Sequence, residues 1–140
     1  MNIVIDTSVW ISALISESGF SRQIIRLSLL GRVMPQISTT LFWEYETVMK
    51  RQKVQELCIL TKQEQQELFE AFLSICKWNE IFYLWRPNLN DTNDDFLVEL
   101  AVASNSKVII TENVKDLISG ELSFDIDILT PKDFIRRFIK

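Results

Sequence analysis

Asp6 stands immediately after the apolar run Ile3-Val4-Ile5, and further carboxylates occupy comparable element boundaries: Glu44, Asp94 with Asp95, and Asp116. A carboxylate that ends a buried strand loses hydration and needs a compensating partner, and several converging on one crevice need a cation. These residues point to a metal site. The chain contains no histidine, which excludes imidazole general bases, Ser-His-Asp triads and histidine-ligated zinc. Hydrolytic chemistry here has to run on carboxylates, and clustered carboxylates select hard, oxygen-seeking ions such as magnesium or manganese. Singly each residue is ordinary: an Asp after a strand is commonly a helix cap, and a Glu on a helix is commonly exposed. Only the joint pattern carries the metal reading.

Elements far apart in sequence must bring these side chains together. Residues 2–5 read as a short buried strand and residues 9–15 as a helix, with Asp6, Thr7 and Ser8 offering capping side chains. Ile24, Ile25, Leu27, Leu29 and Leu30 follow with helical spacing up to Gly31, a terminator. Residues 33–37 are a weaker strand candidate, whose proline suggests an edge or irregular end. Ser38, Thr39 and Thr40 supply an N-cap for a helix bearing Leu41, Phe42, Glu44, Tyr45, Val48 and Met49.

Thr61 and Glu64 form a capping-box pattern ahead of the core stripe Leu68, Phe69, Phe72 and Ile75. Residues 81–85 read as a strand and residues 94–104 as a helix, and Val108-Ile109-Ile110-Thr111 reads as a strand buried on both faces. A short helical turn near Asp116, a last strand over 125–129 and a helix started by Thr130 and Pro131 complete the chain. Strands alternating with helices imply a parallel sheet covered on both faces, in which ligands bind outside the carboxyl ends of the strands. Asp6 and the segment from Thr111 to Asp116 face that edge. Glu44 and Asp94 lie near helix starts that can point back to it.

Length and composition bound the rest. A chain of 140 residues, 47% hydrophobic, suits one domain spanning 1–140. No apolar stretch approaches bilayer length and the opening residues lack a signal-peptide pattern, so no membrane association and a cytoplasmic setting are expected. Cys58 and Cys76 form no CxxC pair and read as buried thiols. A net charge of -4 and a pI near 4.9 argue against a basic coat for nonspecific nucleic-acid binding, although bound divalent ions would offset the acidic excess. Trp10 and Trp43 lie near proposed ligands and could stack on a base, but core packing is expected for both. Trp78 and Trp85 are assigned to packing or an interface.

Four segments carry a resemblance. They are Ile3-Val4-Ile5-Asp6-Thr7-Ser8-Val9, Glu44 within Leu41-Phe42-Trp43-Glu44-Tyr45, Asp91-Thr92-Asn93-Asp94-Asp95-Phe96-Leu97 running into Glu99-Leu100-Ala101, and Thr111-Glu112-Asn113-Val114-Lys115-Asp116-Leu117. In their order and spacing the chain resembles the PIN domain family of metal-dependent ribonucleases over essentially its whole length. The closing Ile128-Leu129-Thr130-Pro131-Lys132-Asp133-Phe134 is similar to a bacterial subgroup described as toxin components of toxin–antitoxin systems (VapC-like).

The resemblance implies a three-layer α/β/α fold, flavodoxin-like or RNase H-like, with a central parallel sheet. It also implies a magnesium- or manganese-dependent endoribonuclease acting on RNA. Asp6, Glu44 and Asp94 become the metal-binding carboxylates, with Asp116 the fourth; Thr7 and Thr111 would hydrogen-bond and orient them. The loop reads Glu112-Asn113 where relatives often have Gly-Asp, which moves the fourth ligand to Asp116 or leaves three carboxylates with Asn113 as a polar contact. Only one of Asp94 and Asp95 can point well into the site. The match assigns Asp94, and leaves Asp95 to act through a water or as a helix N-terminal charge. An antitoxin partner and a homodimer are expected as well. The reading from a different class is a non-catalytic PIN-fold module that binds RNA or protein, against which the retained acidic set argues.

Overall fold

Three residues with no polar side chain, Ile3, Val4 and Ile5, are fully buried and form the spine of β1 (Asn2–Ile5), the central strand of the sheet. The computed structural model describes residues 1–16, 19–81, 95–115 and 126–139. Within them β1, β2 (Met34–Ile37), β3 (Lys77–Trp78), β4 (Val108–Ile110) and β5 (Asp127–Leu129) pair in the order β3-β2-β1-β4-β5, every pair parallel. Seven helices accompany them among the described residues: α1 (Thr7–Ile15), α2 (Phe20–Leu29), α3 (Thr39–Met49), α4 (Gln52–Leu57), α5 (Lys62–Ile75), α6 (Asp95–Ala103) and α7 (Pro131–Phe138). This is the three-layer α/β/α arrangement of a PIN-like fold. No helix among the described residues is long and apolar enough to cross a membrane.

Local chemistry explains the helix ends. Ser38 accepts from the Leu41 amide at the start of α3, Thr61 and Glu64 close a reciprocal capping box on α5, and Thr130 accepts from the Asp133 amide ahead of Pro131. Gly31 ends α2 in the left-handed region at φ 77°; its amide donates to Ser28 and that of Arg32 donates to Leu27, a Schellman closure. Trp10 of α1 is fully buried and stacks on Phe72 of α5 at 5.2 Å, with Phe69 at 5.4 Å and Tyr45 of α3 at 6.1 Å. This aromatic block locks α1, and with it the end of β1, against α3 and α5.

The sheet differs from the sequence expectation in two strands. β2 is interior, paired with β1 on one side and β3 on the other, despite Pro35. The Met34 amide donates to Met1, so the next residue, Pro35, faces away from β1. The pairing with β3 begins only at Gln36, and the missing N–H therefore costs no ladder bond. The strand beyond β2 is Lys77–Trp78 rather than one starting at Ile81, which lies outside any strand; residues 82–85 of that expectation fall outside the described residues. The short helix α4, with Val54 its one buried residue, has no apolar periodicity to announce it.

Candidate metal centre

The chain steps from β3 back across the sheet to β4, so the strand order reverses direction between β1 and β4. A crevice at the carboxyl ends of those two strands is where such folds bind ligands. Ile5 pairs with Ile110 in register, and this sets Asp6 beside Thr111. The Asp6 amide donates to Ile110 O at 2.9 Å, and the Thr111 amide to Leu129 O at 2.9 Å, so both residues are anchored through the sheet itself.

Asp6 occupies the N-cap position of α1, yet its side chain makes no capping hydrogen bond. Its Oδ2 instead accepts from Thr111 Oγ1 at 2.6 Å and from Ser8 Oγ at 2.8 Å. Each hydroxyl in turn accepts a backbone amide of the loop after β4: Glu112 N to Ser8 Oγ at 3.1 Å, Asn113 N to Thr111 Oγ1 at 3.0 Å. A hydroxyl has one proton to give. With an amide donated to each, both protons go to the carboxylate, and the 3.4 Å approach of Ser8 to Thr111 needs no bond of its own. The loop is tied to α2 by Ser21, buried, which donates to Glu112 Oε1 at 3.0 Å. Asp6 Oδ1 accepts no hydrogen bond among the described residues.

Thr111 thus contacts Asp6 as the sequence suggested, but Thr7 does not. Thr7 opens α1 with its side chain turned inward, and its buried Oγ1 has no hydrogen-bond partner among the described residues. The second hydroxyl on Asp6 is Ser8, read from sequence as a capping side chain, although a hydroxyl two positions after a strand-end Asp was the available signal. Asn113 reaches the site through its backbone amide. Glu44 is exposed on α3, with no hydrogen bond or ion pair to Asp6 among the described residues. Its neighbour Tyr45 is buried and donates its hydroxyl to Ile5 O at the end of β1. Asp94 and Asp116 lie outside the described residues, and Asp95 begins α6. Among the described residues, no three acidic or sulfur side chains gather closely enough to hold an ion.

Burial, then the neighbouring Cys76 and the Asp6 charge, push the Tyr45 hydroxyl well above its usual value. Cys58 and Cys76 are partly rather than fully buried, against the sequence expectation, and burial pushes the Cys76 thiol up to about 12, which leaves it a poor nucleophile. Among the described residues the half-buried Asp6 carboxylate has one oxygen held by hydroxyls and no hydrogen bond to the other, and the Thr7 hydroxyl one residue away has no partner; oxygen donors of this kind would match a hard divalent cation. Trp10 packs in the core as expected, whereas Trp43 departs from the expected core packing at 63% exposed; Trp78, assigned to packing or an interface, is 50% exposed.

A protein-family profile described as PIN domain matches residues 2–115. No curated protein matches the chain. Among solved structures, it is similar to the crystal structure of VapBC2 from Rickettsia felis bound to a DNA fragment from their promoter. The two share 15% identity over 91% of this chain and 97% of that chain, with a TM-score of 0.53. At that identity the likeness establishes the fold, and the profile covers the elements that carry Asp6, Glu44 and Thr111. The chain belongs to the PIN domain family.

Proposed function

We propose that this protein is a divalent-metal-dependent endoribonuclease, hydrolysing RNA phosphodiester bonds, and the toxin half of a toxin–antitoxin pair. The observation that carries the reading is the state of Asp6. Its carboxylate leaves the helix end uncapped and is held instead by two hydroxyls at the switch point of the sheet, with no hydrogen bond to its other oxygen among the described residues. A residue kept only to cap α1 would bond the amides of that helix.

Asp6, Glu44, Asp94 and Asp116 would hold the magnesium or manganese ion. When bound, such an ion lowers the pKa of a coordinated water and stabilises charge developing on the phosphate. The chain's own contribution is placement. Ser8 and Thr111 fix the Asp6 carboxylate plane, and the Glu112 and Asn113 amides fix the direction of both hydroxyls, so Oδ1 is presented without reorganisation. In a protein without histidine this arrangement needs no side chain to take up the proton of the attacking water.

The fold neighbour is a VapBC pair on promoter DNA, which supports a protein partner for this chain. Homodimerisation belongs to the same reading, and light scattering at high micromolar concentration tests it. The ribonuclease itself is tested by incubating a panel of RNAs with the protein in magnesium, manganese or EDTA. Cleavage confined to the metal-containing reactions, and lost in Asp6→Asn, is the expected result; cleavage unchanged in excess EDTA contradicts it. Binding of RNA with no cleavage under any condition would favour the non-catalytic module.

A further inference from the structure

We propose that the cavity between the start of α3 and β3 is a nucleotide subsite, in which one base of a single-stranded RNA stacks on Trp78 next to the Asp6 centre. This rests on the ribonuclease reading and extends it to how the substrate is held. The cavity measures about 570 Å³, within the range of small-ligand sites, and is lined by Ser38, Thr39, Thr40, Trp78, Asn79 and Glu80.

Trp78 is half exposed, and its ring packs against one aromatic neighbour. It lies 5.6 Å from Phe42, which stacks on Phe69 at 5.9 Å with 6° between the planes, and Phe69 abuts Trp10 in the core. An indole held on one side by aromatic packing and open on the other is pre-set to receive a second flat ring, and a base supplies one whatever its sequence. Asn79 stiffens the cavity wall: its side-chain amide donates to Gln36 Oε1 and Lys77 O, both at 3.0 Å. The exposed Thr39 and Thr40 hydroxyls can donate to sugar and phosphate oxygens, and Glu80 can accept from the amino group of a base.

The position relative to Asp6 follows from register. Val4 pairs with Gln36, so Ser38 continues β2 beside Asp6, and Trp78 pairs with Ile37 on the next strand over. Strand spacing puts β3 roughly 10 Å from β1 along the same carboxyl edge. An RNA strand lying across Asp6 therefore continues over Trp78. With a net charge of -4 and Glu80 in the cavity, stacking rather than phosphate neutralisation has to supply the affinity, and binding should depend only weakly on salt.

The test is the anisotropy of a short fluorescent single-stranded RNA titrated with the full chain carrying Asp6→Asn, which blocks cleavage, alone and combined with Trp78→Ala or Trp78→Phe. Trp78→Ala should weaken binding by about 5- to 150-fold, the range of one lost base stack, and Trp78→Phe should retain most of the affinity. In the cleaving protein the same Ala variant should raise KM with little change in kcat. Unchanged affinity in Trp78→Ala overturns the subsite and leaves the ribonuclease standing. Equal losses in Ala and Phe variants with a lowered Tm, or a changed particle mass with unchanged RNA affinity, assign Trp78 to structure or to a protein interface and also overturn it. Trp78-dependent binding without any cleavage by the wild type sinks the ribonuclease and keeps the subsite; no RNA binding at all sinks both.

Discussion

Thr111 donates its hydroxyl to Asp6 across 2.6 Å, although the two residues are 105 positions apart in the chain. The parallel pairing of β1 with β4 creates this contact, and the amide of Asn113 fixes its direction. Thr111→Val keeps the shape and removes the donor. We expect activity to fall roughly 10- to 100-fold, as when the partner that orients a metal ligand is lost, with a stability cost of about 1 kcal/mol. Ser8→Ala should act in the same direction, since the two hydroxyls share one carboxylate oxygen. Single-turnover cleavage and thermal melts of both variants check this; full activity in the pair Ser8→Ala, Thr111→Val would show that orientation of Asp6 is irrelevant.

Tyr45 gives a purely structural prediction. Its buried hydroxyl donates to the carbonyl of Ile5, at the end of the strand that presents Asp6. Tyr45→Phe preserves the ring contacts with Trp10 and Phe72 but leaves that carbonyl without this donor. A loss of about 1–3 kcal/mol is expected in urea unfolding; a change below a few tenths would mean that another group satisfies Ile5.

Much of this was legible in the sequence, for reasons that particular residues illustrate. β1 and β4 are continuous apolar runs because both of their faces are buried, and the helix starts at Ser38, Thr61 and Thr130 carry side chains whose acceptors find the amides they predict. β3 was not legible: it is two residues long, both exposed, with no alternation to read. Ser8 was undervalued because a serine after Asp-Thr looks like one more capping residue, and only the fold shows that its hydroxyl turns to Asp6 instead of to the helix. Exposure of Trp43 on α3 defeats the average tendency of tryptophan to be buried, a tendency that says nothing of a particular helix position.

The Cys76 thiol yields a pH dependence with a definite sign. Its pKa is about 12 in the folded protein against 9.0 for the free group. Between these values the unfolded chain has released a proton that the folded chain keeps, so this contribution to stability is complete below pH 9 and declines as pH rises toward 12. The slope from one such group is at most about 1.4 kcal/mol per pH unit. The upward shift of Tyr45 acts in the same direction. Urea denaturation between pH 8 and 11 should show the decline, and Cys76→Ser should make it shallower; an identical profile in the variant would contradict the assignment.

The central claim is that Oδ1 of Asp6 serves a metal ion. In Asp6→Asn the amide oxygen can still accept from Ser8 and Thr111, so the hydrogen bonds at Oδ2 survive while one negative charge is lost. The decisive measurement is therefore the Tm of wild type and Asp6→Asn, each in EDTA and in millimolar magnesium. A metal ligand predicts nearly equal melts in EDTA and a magnesium-induced rise in wild type that is largely absent from the variant, because an ion that binds only the folded state stabilises it by mass action. Equal magnesium shifts in the two proteins would contradict the claim.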